Sequence, residues 1–369
     1  MQVLFVISCV VLLLYVAMII AFFVGWQRIP SFVSEKKTES MPKVSLIVCC
    51  RDEEQRLPTL LKSISSQSYE NFEVIFANDY STDKTADLLA EYAKTHRNVM
   101  VFVPKKSGKK SALREAVDVA SGELICCTDA DCVLNENHIA LFAEYYAFTH
   151  VDMILGGVRM LHDSSLFGKL QALEFLSLQA STIGSVGVGC PIMCNGANLS
   201  FTKTAWKQSK SDLCTKTPSG DDEFLLFAIK KNGGRISFIK NPETIVATRA
   251  CATVKAFFSQ RTRWTSKSIH YNDMQTIAVA LLVFFTTLVV LFWGISACFS
   301  KDSLSVFLVL FLIKFIADTL FLCAVFPFFK EQKLCKYTFL LSIVYPFYVL
   351  SSVFGGFLSS KTWKNRIFR

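Results

Sequence analysis

The sequence predicts an α/β domain on a doubly wound, mostly parallel sheet, with one N-terminal and two to three C-terminal transmembrane helices. Three observations predict it. Between residues 43 and 270, short apolar strand-like runs alternate with stretches of helical period, the pattern of strands covered on both faces by crossover helices. Residues 3–26 form one unbroken apolar stretch, longer than the ~20 residues that cross a bilayer. Three more apolar blocks, near 275–299, 303–329 and 337–358, close the chain.

Taken in order, residues 1–27 form an anchor. No basic residue precedes the apolar run, and it lacks a clear small-residue cleavage site, which argues against a signal peptide. Val44-Ser45-Leu46-Ile47-Val48-Cys49-Cys50 reads as a buried strand. An amphipathic helix follows, with Leu57, Leu60, Leu61 and Ile64 on one face. Strands are predicted at Phe72–Ala77, Val99–Val103 and Glu123–Thr128, with a candidate fifth at Met153–Leu155. Helices are predicted from Thr82-Asp83 onward and over Lys110–Ala120. Ligands of such sheets bind at the carboxyl ends of the strands, where Arg51-Asp52, Asn78-Asp79, Pro104-Lys105 and Asp129-Ala130-Asp131 fall. The absence of Gly-x-Gly-x-x-Gly after the first strand, and of a Gly-Lys-Ser/Thr phosphate loop, argues against a dinucleotide enzyme or an NTPase.

The domain at 43–270 gives way to a transmembrane region at 275–358 and a basic tail at 359–369. The first two C-terminal blocks read as a helical hairpin turning at Lys301-Asp302. The last carries Pro346 and Gly355-Gly356 and reads as a kinked span or a re-entrant hairpin. Net charge is +9, and the basic residues border the apolar blocks. Arg28, Lys36, Lys37 and Lys43 on one side, and Lys330, Lys333 and Lys336 on the other, place both flanks in the cytoplasm by the positive-inside tendency. If 337–358 crosses fully, the tail (Lys361, Lys364, Arg366, Arg369) lies outside against that tendency; a re-entrant segment removes the conflict. Lys314 and Asp318, four apart in an apolar block, read as an intramembrane ion pair. Aromatic–basic interleaving typical of single-strand binders is missing, so no nucleic acid is expected. The 13 cysteines include no Cys-x-x-Cys pair, and those in the strands read as buried reduced thiols.

Several acidic and basic groups have the placement that chemistry needs. Asp129 and Asp131 follow a buried strand; if the backbone stays extended, both carboxylates point one way and suit a hard divalent cation shared with phosphate oxygens. A solvated turn or helix cap is the plainer alternative. Asp79 can accept from a uracil imide or ribose hydroxyls, or simply form an Asx turn. Asp83 reads as a helix cap. Lys109, in Ser107-Gly108-Lys109-Lys110-Ser111, can hold a phosphate at a helix N-terminus or be a solvated turn residue. Asp222, in Ser219-Gly220-Asp221-Asp222-Glu223 before an apolar helix at Phe224–Ile229, can serve as a general base or only complement the helix dipole. Gln260, Arg263 and Trp264 share a helix face. Arg263 can meet a diphosphate, and Trp264 an acceptor sugar or the membrane interface.

In this order the motifs resemble family-2 inverting glycosyltransferases of the integral-membrane kind, which include cellulose, chitin and hyaluronan synthases and ceramide glucosyltransferases. Asn78-Asp79-Tyr80-Ser81-Thr82-Asp83 resembles the Asp-Asp-Gly-Ser-Thr-Asp nucleoside motif, departing at Asn78 and Tyr80. Lys109 stands at the Gly-Lys element, Asp129 and Asp131 at the Asp-x-Asp pair, and Asp221-Asp222 at the base motif. Gln260, Arg263 and Trp264 match Gln-x-x-Arg-Trp. Asn195-Gly196-Ala197-Asn198 resembles a Gly-x-Asn segment on the acceptor side. Glu174, on an apolar helix, reads as an acceptor-side acid or an ordinary, partly exposed one.

The resemblance implies a GT-A-like fold and transfer with inversion from a nucleotide-diphosphate sugar, a UDP-sugar being favoured, to a lipid or glycan acceptor. It implies Asp222 as base, Asp131 as ligand of Mg or Mn, and Asp79, Lys109, Asp129, Gln260, Arg263 and Trp264 as substrate-binding residues. The expected location is a multi-pass protein of the cell membrane with its catalytic domain cytoplasmic. The low span count favours a glycolipid-forming enzyme over a processive polysaccharide synthase. A non-catalytic membrane scaffold would not need Asp131, Asp222 and Arg263 together.

Overall fold

The computed structural model describes residues 2–34, 40–214, 217, 220–358, 361–363 and 366–368. Of the basic flanks and tail, Lys36, Lys37, Lys364 and Arg369 lie outside these residues, as do Ser219 and the side chains of Lys361 and Arg366. In chain order, α1 (Gln2–Arg28) precedes β1 (Val44–Cys50), α2 (Leu57–Ser65), β2 (Phe72–Asn78), α3 (Thr85–Thr95) and β3 (Val99–Phe102). Then come α4 (Lys109–Val119), β4 (Leu124–Asp129), α5 (His138–Thr149), β5 (Met153–Leu155), β6 (Val158–Leu161) and α6 (Leu166–Gly187). β7 (Leu199–Thr202), α7 (Lys203–Ser209), α8 (Asp221–Lys231), β8 (Ile236–Phe238) and β9 (Val246–Arg249) follow. The described helices end with α9 (Val254–Thr265), α10 (Met274–Ser296), α11 (Lys301–Phe329) and α12 (Thr338–Leu358).

These elements form two compact units. The sheet unit is Pro30–Leu161, Met193–Arg249 and Thr362–Arg369; the helical unit is Met1–Ile29, His162–Ile192 and Ala250–Lys361. The main sheet has the order β3-β2-β1-β4-β7-β5-β8. β1 runs parallel to β2 and β4, β2 to β3, and β5 to β8, while β7 is antiparallel to β4 and β5. The sheet is therefore mostly parallel, as the apolar strand runs require. Val44, Leu46, Ile47, Val48 and Cys50 are all buried, because crossover helices cover both faces. Cys49 pairs across to Asp129 and Cys50 to Asn78, so β1, β2 and β4 end at one level. The strand cysteines form no disulfide, and burial pushes the thiols of Cys49 and Cys126 up to about 12.

Three local expectations are corrected. The helix expected from Thr82-Asp83 starts at Thr85, because those residues form the turn before it. There Asp83 Oδ1 accepts from the Thr85 amide at 2.9 Å and Asp52 Oδ1 from the Thr82 amide at 2.7 Å. The helix expected at Phe224 starts at Asp221, which puts Asp222 inside its first turn. Lys301 and Asp302 are the first residues of α11 rather than a turn. Ser300 caps that helix, its Oγ accepting from the Ser303 amide at 3.5 Å, and Asp302 complements the dipole.

Among the described residues of the helical unit, four helical segments are long and apolar enough to cross a membrane: Gln2–Arg28, Met274–Ser296, Lys301–Phe329 and Gln332–Gly356. α12 continues through Pro346 as one helix. The buried face of α1 repeats at alternating steps of four and three, through Ser8, Leu12, Tyr15, Ile19, Phe22 and Trp26, as a helix packed along its length requires. Leu12 packs with Trp293 and Leu310, and Trp293 Nε1 donates to Ser8 Oγ at 2.9 Å. Lys314 and Asp318 pair at 2.5 Å, and Tyr15 donates to the other Asp318 oxygen at 2.8 Å.

α1 crosses α6 where both lack side chains. A Cβ on Gly25 would sit 2.0 Å from the Gly184 carbonyl oxygen, and one on Gly187 would sit 2.0 Å from that of Gly25. Only glycine lets two backbones approach this closely. Gly25→Val is therefore expected to lower stability by about 1–3 kcal/mol or more. Gly294→Ala, whose Cβ would meet only the Phe307 ring edge at 3.3 Å, costs less. Thermal unfolding midpoints of the detergent-solubilised chain check this; equal midpoints for the two variants would remove the crossing from the account.

Candidate active site

The carboxyl ends of β2 and β4 deliver Asp79 and Asp129 to the same edge of the sheet, one on each side of β1. Asp79 is 2% exposed. Its amide donates to the Cys50 carbonyl at 2.8 Å, and its Oδ1 accepts from the Gly108 amide at 2.8 Å. Arg51 donates to the Asp79 carbonyl at 3.1 Å and lies 3.9 Å from its Oδ2. Asp79 is thus oriented by the loop that enters α4 rather than left in a solvated turn. Gly108 has φ +123°, a backbone state that favours glycine. Tyr80, where the nucleoside motif has glycine, adopts the left-handed region at φ +54° and donates to the Pro104 carbonyl at 3.0 Å.

Lys109 opens α4, and its Nζ donates to Asp129 Oδ1 at 2.6 Å. Burial works against the charged amine, but the Asp129 carboxylate outweighs it and holds Lys109 above its ordinary range. β4 ends at Asp129. Its carbonyl accepts from the Cys132 amide at 3.1 Å, so Ala130-Asp131 form a turn. The extended backbone expected through Asp131 is therefore corrected: the two carboxylates are neighbours across a turn. They still feel each other. Burial, and next the Asp129 charge, raise the Asp131 carboxyl above the usual range, while Arg56 and Lys109 oppose the rise. Arg56 lies 3.7 Å from Asp131.

Asp222 Oδ2 accepts from the Gly196 amide at 2.8 Å, and its Oδ1 from the Glu223 amide at 2.9 Å. A Cβ on Gly196 would lie 3.3 Å from Asp222 Oδ2, so the glycine permits the close approach. Neighbouring Asp221 goes the other way, to Lys110 at 3.8 Å. Asn198, read from sequence as an acceptor-side residue, is buried. Its amide donates to the Gly157 and Thr244 carbonyls at 2.8 and 2.7 Å, which makes it a scaffold residue. Arg51 was read from sequence only as a strand-end residue, and Arg56 and Lys110 were given no role; the only signal was their place beside acidic motifs.

Gln260, Arg263 and Trp264 belong to α9 of the helical unit. Gln260 Oε1 accepts from Cys251 at 3.6 Å. The residue between them, Arg261, is 1% exposed, donates to Glu174 Oε2 at 2.5 Å and stacks 4.2 Å over the Trp264 ring. Glu174 also accepts from Tyr348 at 2.9 Å. Burial raises the Glu174 carboxyl, against Arg261 and Tyr348. Its reading as a partly exposed acid is corrected: it is 3% exposed and paired across 87 residues of sequence.

A model of the glycosyl transferase family 2 matches residues 45–198, and one of the glycosyl transferase family group 2 matches residues 124–351, more than half of the chain. The chain belongs to the family-2 glycosyltransferases. This glycosyltransferase is similar to the poly-beta-1,6-N-acetyl-D-glucosamine synthase of Staphylococcus epidermidis strain RP62A, 26% identical over 241 residues that cover 63% of this chain and 56% of that one. A Staphylococcus aureus strain COL protein of the same name is 27% identical over 146 residues, 38% of this chain and 34% of its own. The chain spans about half the length of the first of these curated relatives. In fold it resembles the mannosyltransferase PcManGT of Pyrobaculum calidifontis, solved with GDP-Man and Mn2+, at TM-score 0.57 and 16% identity over 93% of this chain and 96% of that one.

Among the described residues no three His, Cys, Asp or Glu side chains gather to hold a metal alone. Asp129 and Asp131, mutually repelling and 37% and 26% exposed, fit a hard cation that takes one or two carboxylates and completes its shell with water and substrate phosphate. Were a cation held there, the ionised form of Asp131 would bind it, so affinity would be full above the raised pKa and lost as pH falls through it. Arg56→Met removes an opposing cation and is expected to shift that loss to higher pH. Mn2+ titrations across pH read the shift; coincident profiles for wild type and variant would exclude Arg56.

Proposed function

We propose that this chain moves a sugar, with inversion, from a nucleotide-diphosphate sugar to an acceptor hydroxyl at a membrane. The observation that carries the reading is that Asp79, Asp129 with Lys109, and Asp131 meet at the carboxyl edge of one parallel sheet, where such folds bind ligands. In the same unit a separate carboxylate, Asp222, is aimed by a backbone amide.

In this reading Asp79 accepts from the nucleoside, and Lys109 and Asp129 hold the diphosphate end of the donor. Asp222 takes the acceptor proton as the hydroxyl oxygen attacks the anomeric carbon. The bond from that carbon to the diphosphate oxygen breaks, and its electron pair leaves with the nucleotide. Asp131, next to Asp129, would hold a Mg2+ or Mn2+ ion, which would supply charge neutralisation to that leaving group; Mn2+ accompanies the structural neighbour. Gln260, Arg263 and Trp264 bind substrate by the motif they match, with Trp264 suited to an acceptor sugar. Residues 1–27 anchor, 43–270 catalyse on the cytoplasmic side of the cell membrane, 275–358 embed and 359–369 form the tail.

The named relatives support N-acetylglucosamine as the sugar, and the motif resemblance favours UDP as its carrier. A lipid or a glycan chain is the acceptor class. The same likeness favours a second reading, processive synthesis of a glucosamine polymer. Membranes carrying the chain, given labelled UDP-N-acetylglucosamine and Mn2+, separate the two: a glycolipid-forming enzyme yields one discrete extractable product, and a synthase yields a ladder. Asp222→Asn is expected to lower transfer by about 10²–10⁴ with donor binding intact. Near-normal turnover of that variant would remove Asp222 as base.

A further inference from the structure

α4 begins with two consecutive lysines whose side chains go to different places. Lys109 reaches Asp129 at 2.6 Å. Lys110 Nζ donates to the Cys214 carbonyl at 2.8 Å and to Thr217 Oγ1 at 3.0 Å, lies 3.8 Å from Asp221 Oδ1, and stands 5.1 Å over the Phe224 ring. Successive residues of a helix point about 100° apart, so one helix end can serve two directions. Every one of these Lys110 partners lies on the segment that enters α8 or on its first turn, and the second residue of α8 is Asp222. That entry is made by Gly220 at φ +89°. Gly220 makes no side-chain cap hydrogen bond to α8, so contacts from elsewhere can help to fix where that helix begins. Lys110, 19% exposed at its side chain, supplies a charged donor to that segment from the helix that also carries Lys109.

We propose that Lys110 is a positioning residue for the base: it holds Cys214, Thr217 and Asp221, and through them the start of α8, so that Asp222 faces its substrate proton. It touches no reacting atom. The first turn of α4 thereby ties the donor-side carboxylate and the base segment to one rigid element. This rests on the proposed transfer reaction, and the test separates the two.

The full-length chain in membranes is compared with Lys110→Met, Lys110→Arg, Asp222→Asn and the Lys110→Met/Asp222→Asn double variant. Cys214, a free, half-buried thiol, reports the anchor without any turnover: its alkylation by N-ethylmaleimide, followed by mass spectrometry, should be several-fold faster in Lys110→Met and near wild type in Lys110→Arg. In transfer assays Lys110→Met should lower kcat by about 10- to 100-fold with the donor KM little changed, and Lys110→Arg should recover most of it. The double variant should be no slower than Asp222→Asn, because both act through one carboxylate. An unchanged Cys214 rate, an unchanged kcat, or a raised donor KM with kcat intact would each overturn the proposal, the last by making Lys110 a donor ligand. If the wild-type chain turned over no nucleotide sugar, the transfer reading would fall and Lys110's part in it with it, while the Cys214 rate would still decide the anchor.

Discussion

The parallel register of β1 between β2 and β4 is the constraint on which the candidate site depends. Cys49 stands opposite both Ala77 and Asp129, and Cys50 opposite Asn78. Because these strands run the same way, their ends coincide, and the chain leaves all three at one edge. A one-residue slip would exchange the faces of every side chain. It would bury Asp129 under a crossover helix or pull Asp79 out of reach of Gly108. The apolar sequence of β1, buried along its length, therefore sets functional geometry although none of its side chains takes part.

At that edge, charge is arranged in pairs. Asp79 faces Arg51 at 3.9 Å, Asp129 faces Lys109 at 2.6 Å, Asp131 faces Arg56 at 3.7 Å, and Asp221 faces Lys110 at 3.8 Å. Without these partners, carboxylates gathered at one edge would repel one another. The pairing is uneven in strength. Lys109 meets Asp129 directly, whereas half-exposed Arg56 only partly offsets the burial and the neighbouring charge that raise Asp131. Asp131 is therefore the acid of the group whose charge a cation would offset, and Lys109 already holds an oxyanion partner in Asp129. A diphosphate presents Lys109 with oxygens of the same kind.

The strands β1 to β5 and the acidic stations were legible in the sequence because they rest on local properties, whereas the short β6, β7, β8 and β9 were not read. Apolar runs mark buried strands, and a polar residue just beyond one marks a sheet edge. Helix starts were less legible. Thr82, Asp83, Ser300 and the Gly220–Asp222 turn each hold residues that suit both a cap and a first turn, and the choice depends on hydrogen bonds made from elsewhere, such as Asp52 to Thr82. The cationic partners were not legible. Arg56 and Lys110 look like ordinary solvated residues until distant segments fold against them, as Cys214 and Thr217 do against Lys110.

Arg261 shows the same limit most sharply. Within the run Gln260-Arg261-Thr262-Arg263-Trp264, sequence reasoning selected the residues on one helical face and passed over the arginine between them. That arginine is the fully buried one, sandwiched against Phe257 and Trp264 and paired with Glu174. A buried ion pair adds little net stability over apolar packing, but removing one partner strands the other. Its effect is to fix geometry. Glu174 on α6 joins Arg261 on α9 and Tyr348 on α12, while Gly355 and Gly356 let α12 approach α9 closely enough that a Cβ on Gly355 would meet Thr262 Oγ1 at 2.8 Å. Two helices of the helical unit, α6 and α12, are thus locked to α9, which carries Gln260, Arg263 and Trp264. One of them, α12, belongs to an apolar segment long enough to cross a membrane. The orientation of that motif is consequently a property of the helical unit as a whole, set by contacts that no inspection of the motif alone could supply.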